Sequence, residues 1–283
     1  MILSAVVLLA CVLGFNLLTY AFFLFEKGRL AGWERRFYQV SWGEVGVYLT
    51  ESLCTLLLVV LWVADFVTSP VRGRLRAGPK ARTRLRPGDR PLILCHGYHM
   101  RGWTLGVLAF WLRRWGRSVV TLPTFGPSAA GIRHYAEQLR GHIREVLGQT
   151  GADAVDLAGH SLGGLIARAC LAEARRSGDS SVRAAHLVTL GTPHQGTGFW
   201  VFTWGECGLD MKPGSPFLRW LGEEPLGVEA AAIYSTADSM VQEESASGWN
   251  APSVRKVRVK GAGHVALSMH PRAARRVFKA LRE

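Results

Sequence analysis

Val155-Asp156-Leu157-Ala158-Gly159-His160-Ser161-Leu162-Gly163-Gly164-Leu165 is the stretch from which the rest of the chain is read. It contains Gly-x-Ser-x-Gly, a pattern that means little alone and gains weight from its flanks. Upstream, residues 154–158 form a short apolar run bounded by Gly151 and Asp153, which reads as a buried strand. Downstream, Leu162, Leu165, Ile166, Ala169 and Cys170 recur at helical spacing, and Arg175-Arg176-Ser177-Gly178 closes a helix. Strand, tight turn and helix in that order form the context of a nucleophile elbow. The turn brings two backbones together, so a side chain at Gly159 or Gly163 would collide. It lifts the Ser161 hydroxyl above the sheet edge. The free N–H groups at the start of the following helix point to the same spot and would stabilise negative charge on an attacked carbonyl.

Outward from the elbow the pattern alternates. Residues 91–95 (Pro-Leu-Ile-Leu-Cys) read as a buried strand followed by His96-Gly97-Tyr98-His99. Residues 102–115 read as a helix and 118–122 as a strand. Residues 131–148 form a helix with Ile132, Tyr135, Leu139, Ile143 and Val146 on its apolar face. Strands follow at 184–190, 228–234 and 254–259, the last alternating apolar and basic residues as a strand nearer the sheet edge, and residues 271–281 form a terminal helix. The fold class is therefore α/β, a mostly parallel sheet with helices on both faces. Ligands of such sheets bind outside the carboxyl ends of the strands.

A serine hydroxyl is a weak nucleophile and needs a base, which in turn needs an orienting acid. Among the nine histidines, His264 follows the last strand in a glycine-flanked loop, on the edge that carries Ser161. His96, His160 and His194 lie near the site in sequence, but each belongs to a loop with another role. Asp238 follows the preceding strand, and the order Ser161, Asp238, His264 matches the Ser…Asp…His order of elbow-type hydrolases. Asp156, in the elbow strand, and Asp210 are the other acids considered. The oxyanion hole is expected from the backbone N–H groups of Leu162 and Tyr98. Five cysteines, with no pair at metal-ligand spacing, predict neither a zinc site nor a disulfide framework, and no cofactor or metal is expected.

Residues 196–227 break the alternation. They carry Phe199, Trp200, Phe202, Trp204, Met211, Phe217 and Trp220, too many aromatics for disorder. A long insertion in a compact domain is expected to be functional. A lid or acyl-binding cap, with Phe199, Trp200, Phe202 and Trp204 on the substrate, stands beside an ordinary helical insertion with its own core.

The N-terminal part differs in kind. Residues 2–25 form an apolar run without a formal charge, long enough to span a bilayer. It lacks the basic n-region of a signal peptide. Residues 45–67 form a second run, interrupted or flanked by Glu51 and Asp65, and a carboxylate in a bilayer is costly unless it faces a partner. A second span is favoured over a helix lying in the interface, and the alternative to an anchor is a small helical subdomain packed on the enzyme. Trp33, Tyr38 and Trp42 between the runs suit the interface. The net charge of +13 is local: Arg72, Arg74, Arg76, Lys80, Arg82, Arg84 and Arg86 follow without an acid among them. With no aromatic interleaving and no nucleic-acid module, this reads as a juxtamembrane patch on anionic lipid, not a nucleic-acid site. The expected domains are a membrane anchor of one or two helices at 1–67, a basic linker at 68–89, and a catalytic domain at 90–283. By the positive-inside rule the catalytic domain is expected on the cytoplasmic side of the membrane, and the expected localisation is a bacterial inner membrane. Since every proposed triad and oxyanion residue lies after Pro91, a domain freed of residues 1–70 is expected to keep its activity on soluble esters.

From about residue 91 onward the chain resembles α/β-hydrolase lipases and esterases, especially bacterial triacylglycerol-lipase-like enzymes. The resemblance rests on His96-Gly97, Gly159-His160-Ser161-Leu162-Gly163-Gly164, Leu190-Gly191-Thr192-Pro193-His194, Pro213-Gly214-Ser215-Pro216-Phe217-Leu218, residues 234–238 and Gly263-His264, in that order. It implies ester hydrolysis through an acyl-serine without a metal, on lipid or another apolar acyl ester. The N-terminal runs depart from the secreted members. The alternatives are acyl transfer through the same triad and a non-catalytic membrane interaction module.

Overall fold

A computed structural model of the chain describes residues 2–30, 42–75, 90–117, 120–126 and 129–282. Trp33, Tyr38 and the linker residues from 76 to 89 lie outside them. Two long helices open the chain, α1 (Ile2–Leu30) and α2 (Trp42–Leu75). The rest alternates. β1 (Leu92–Cys95) leads through a 3-10 turn (Gly102–Leu105) into α3 (Gly106–Arg114). Then come β2 (Val120–Thr121), α4 (Ile132–Thr150), β3 (Val155–His160), α5 (Leu162–Arg176) and β4 (Ala184–Leu190). A helical insertion, with a 3-10 turn (Gly198–Phe202), α6 (Gly205–Asp210) and α7 (Pro216–Glu223), precedes β5 (Glu229–Ser235). The chain closes with α8 (Glu243–Ala246), β6 (Val254–Val259), α9 (His264–Leu267) and α10 (Pro271–Ala280).

All strand pairs among the described residues are parallel, in the order β2-β1-β3-β4-β5-β6. The order reverses between β1 and β3, so successive helices leave the sheet in opposite directions there and open a crevice above the carboxyl ends of those strands. Every residue of β3 is buried, as a central strand covered on both faces demands. One core lies between the sheet and α4 and α5. The other lies between the sheet and α3 and α10. Ile132, Tyr135, Leu139, Ile143 and Val146 of α4 are all buried in the first, each worth about 1.5–3 kcal/mol relative to exposure if aliphatic. β6 is the edge strand and keeps Arg255, Lys256 and Arg258 exposed.

Two features differ from the sequence reading. α2 runs eight residues into the segment expected as linker, through Pro70 to Leu75. The insertion is also less independent than a lid. Cys207, Met211, Phe217, Leu218 and Leu221 are buried in the core shared with α4 and α5.

Candidate active site

Ser161 sits between β3 and α5 at φ 55° and ψ −127°, a backbone region that non-glycine residues avoid. Such strain persists only where the surroundings hold it. Here Ser161 N–H donates to Leu190 O at 2.8 Å, and Ser161 O accepts from Gly164 N (3.0 Å) and Thr192 Oγ1 (2.9 Å). Glycine at 163 is a steric need, because a Cβ there would overlap the carbonyl oxygens of Cys95 and His96. The turn therefore presses the elbow against the end of β1 and leaves the serine on the wall of a cavity.

His264 opens α9 and lines the same cavity, with its imidazole buried against Asp238. Nδ1 lies 2.8 Å and 3.0 Å from the two carboxylate oxygens. Asp238 is only 1% exposed, and its Oδ1 also accepts from Met240 N (3.0 Å) and Val241 N (2.8 Å). A carboxylate only accepts, so Nδ1 carries the proton and Nε2 of the neutral ring keeps its lone pair. That is the tautomer a general base needs. Burial pushes the imidazole pKa down. The Asp238 charge, the hydrogen bond to it and the charge of Glu51 more than offset this, so the net direction is upward.

The other candidates are occupied elsewhere. Asp156 lies in β3 on the side away from the elbow, where it pairs with Arg117, Arg90 (3.2 Å) and His186 (2.8 Å). Asp210 caps α4 by accepting from Ile132 N at 2.8 Å. His96 is held by Gly97 O and Phe125 N, and burial lowers its pKa to about 4. His160 Nε2 donates to His264 O at 2.9 Å, and burial lowers it to about 3. His194 lies between Arg168 and Thr189. These three neutral rings brace loops around the site and none is paired with a carboxylate, whereas His264 is paired with Asp238.

The cavity measures about 610 Å³ and is lined mostly by apolar side chains. Tyr98, the expected oxyanion residue, lies on its wall. The Tyr98 hydroxyl donates to Trp204 O and accepts from Trp204 N, both at 2.9 Å, tying that loop to the insertion. Leu162 opens α5, so its N–H has no partner within the helix. Phe199, Phe202 and Trp204 line the cavity. Trp200 does not, because it turns toward Lys212, whose ammonium lies 4.9 Å from the indole centroid.

Sequence reasoning missed the opposite wall. Cys11, Val12 and Phe15 of α1 and Thr55, Leu58 and Val59 of α2 close the cavity over Ser161 and His264. Phe22 of α1 packs edge-on against Phe202 at 5.4 Å. Polar residues at helical spacing in apolar runs were the available signal. Asn16, Thr19, Glu51, Ser52 and Thr55 are all buried where the helices meet each other and the domain. The outer stripe, Leu49, Leu53, Leu57 and Val60, is exposed. Among the described residues one segment, Trp42–Val60, is long and apolar enough to cross a membrane, and Leu9–Phe25 is a shorter apolar helix.

The model of the Alpha/beta hydrolase family matches residues 92–230. Two triacylglycerol lipases, from Pseudarthrobacter phenanthrenivorans and Burkholderia plantarii, are each 34% identical to the chain over 116 residues. That stretch is 38% of this chain and 34% and 31% of the two relatives, so the similarity spans about a third of their length. Among solved structures, mature Bacillus licheniformis lipase BlEst2 aligns with TM-score 0.56 and 16% identity, over 69% of this chain and 93% of its own. Aspergillus fumigatus lipase B aligns with TM-score 0.57 and 17% identity, over 72% of this chain and 55% of its own.

Proposed function

Starting from the α/β-hydrolase fold that this chain adopts, we propose that it is a membrane-tethered serine ester hydrolase acting on lipid or other apolar acyl esters. The observation that carries the reading is a strained serine on the same cavity wall as a buried Asp–His pair. Ser161 Oγ attacks the ester carbonyl while His264 Nε2 takes its proton. Asp238 keeps the ring oriented and stabilises the imidazolium. The N–H groups of Leu162 and Tyr98 receive the oxyanion. Collapse of the tetrahedral intermediate breaks the ester C–O bond, and the imidazolium protonates the departing alkoxide. Water, deprotonated by the same imidazole, then attacks the acyl-serine. The carboxylic acid leaves and Ser161 recovers its proton.

The apolar lining from Val12, Phe15, Leu58, Phe199 and Phe202 supports an acyl chain as the group bound. The exposed stripe Leu49, Leu53, Leu57 and Val60 supports contact with lipid on one side of α2. The other side faces protein, which explains how a helix with Glu51 in it can be apolar outside. The arginines of residues 72–86 favour the cytoplasmic face of a bacterial inner membrane and attraction to anionic lipid.

The test is labelling by a fluorophosphonate probe together with a panel of soluble and lipid esters, using full-length protein in detergent. Wild type should label and turn over apolar esters, and Ser161→Ala should do neither. Product analysis with added alcohol separates hydrolysis from acyl transfer. Absence of labelling and of turnover on every ester would leave a non-catalytic membrane module.

A further inference from the structure

Glu51 is the one formal charge of α2 between Glu44 and Asp65, and it is 4% exposed. Its Oε1 accepts from Val265 N at 2.6 Å and its Oε2 from Ala266 N at 2.9 Å. These are the two residues directly after His264. They lie in the first turn of α9, where N–H groups have no partner within the helix. The residue that would normally cap this helix is Gly263, which has no side chain to do so. A Cβ at 263 would lie 2.5 Å from Glu51 Cδ and 2.9 Å from its Cγ. The missing cap and the missing side chain therefore serve one arrangement, in which a carboxylate from the N-terminal helix enters beside the histidine.

An orphan donor pair in a buried turn costs about 1–3 kcal/mol per unsatisfied group. A lone carboxylate in an apolar helix is costly as well. Each offsets the other here, and neither is met if α2 leaves. The acid loop has its own link to the helix pair, since Ser239 Oγ donates to Thr19 Oγ1 at 3.4 Å.

We propose that Glu51 is a positioning residue of the active centre, which holds the His264 turn in register with Asp238 and Ser161 and places a second negative charge beside the imidazole. This rests on the triad reading above. The helix pair is then part of the catalytic machinery and not only an anchor. On this proposal a domain freed of residues 1–70 loses activity on soluble esters, contrary to the expectation from sequence.

The groups facing His264 are Asp238 from the loop after β5, Glu51 from α2 and His160 from the elbow. His160 is neutral because burial holds it down, so the carboxylates decide the sign. Both favour the imidazolium. Losing the Glu51 charge lowers the His264 pKa, so the ring becomes a free base at lower pH.

The experiment uses full-length protein in detergent and a short-chain, water-soluble p-nitrophenyl ester. Glu51→Gln keeps the size but presents an amide N–H₂ to one of the two N–H donors. It should lower kcat about ten- to a hundredfold, as small misplacements of reacting groups do, with KM within about twofold. The acid limb of its kcat/KM profile should move to lower pH. Glu51→Asp, which restores the charge, should recover part of kcat and return the limb toward wild type. Gly263→Ala, which displaces the carboxylate without removing it, should lower kcat in the same direction. Leu53→Ala, on the exposed side of α2 (67% exposed), should leave kcat unchanged. Wild-type kcat and an unshifted limb in Glu51→Gln overturn the proposal, and so does an equal loss in Leu53→Ala. If Glu51→Gln fails to fold, Gly263→Ala and Glu51→Asp decide on the same readouts. Turnover by Ser161→Ala would instead sink the triad reading. A dead Ser161→Ala beside a fully active Glu51→Gln removes only the role of Glu51.

Discussion

Two helical covers meet over the cavity, and they are held in opposite ways. The insertion at residues 196–227 is built into the domain. Met211, Phe217, Leu218 and Leu221 are core residues, and Glu206 and Asp210 accept from the backbone N–H groups of Gly131, which precedes α4, and of Ile132, which opens it. The pair α1 and α2 touches the domain through a narrow stripe of polar and apolar side chains, and turns Leu17, Leu18, Leu53 and Leu57 outward. From sequence, the insertion reads either as a lid or acyl-binding cap or as an ordinary helical insertion, and the helix pair as a membrane anchor. The contacts distinguish the two covers. The segment richest in aromatics is fastened by the hydrophobic core. The segment richest in aliphatics brings a carboxylate to the histidine turn and leaves an apolar face exposed on its other side.

Substitutions should separate the two covers from each other and from the chemistry beneath. The largest loss is expected at the serine: Ser161→Ala should lower kcat about a millionfold with the fold intact by circular dichroism. Asp238→Asn should cost about ten-thousandfold, because the amide leaves the imidazole without its charge and favours the wrong tautomer. An Asp238→Asn enzyme as fast as wild type would shift attention back to other acids. Removing residues 1–75 should cost about a hundredfold in kcat on a soluble ester, measured in detergent. Full activity there would restore the view of the helix pair as a tether alone. Phe199→Ala with Phe202→Ala should lower kcat/KM about tenfold on long-chain esters and leave short-chain esters unaffected, since only the distal cavity wall changes. The smallest effect belongs to the insertion's root. Asp210→Ala should cost about 1 kcal/mol as a lost cap, seen as a Tm lower by a few degrees, with kcat retained.

The pH dependence follows from His264. Its imidazole pKa is raised by Asp238 and Glu51 against the pull of burial, and catalysis needs the neutral ring. Activity is therefore lost as pH falls through the raised value, and the acid limb of kcat/KM should lie above about 6.5.

Much of this was legible in the chain because it is local. The run 154–158, the glycines at 159 and 163, and the helical spacing from Leu162 to Cys170 specify strand, elbow and helix within about twenty residues. The alternation of strands and helices leaves a parallel sheet as the compact solution. The edge position of β6 showed in its alternating arginines and valines. The end of α2 did not show, because Pro70 and Gly73 weigh against a helix that nevertheless continues to Leu75. Nor did the orientation of Trp200, which differs from its neighbours only in where a short 3-10 turn points it.

By itself the sequence determined the α/β-hydrolase fold and nominated Ser161, Asp238 and His264, since residue type, loop position and chain order are all properties of a one-dimensional string. Only the tertiary structure decided what surrounds them. Asp156 and Asp238 are both buried aspartates near strands. One lies toward the opposite end of the sheet against arginines, and the other lies at the carboxyl end against an imidazole. Glu51 reaches Val265 across 214 residues of chain. No local pattern encodes such a pairing, because it depends on the angle at which α2 docks and on the empty space that Gly263 leaves for a carboxylate.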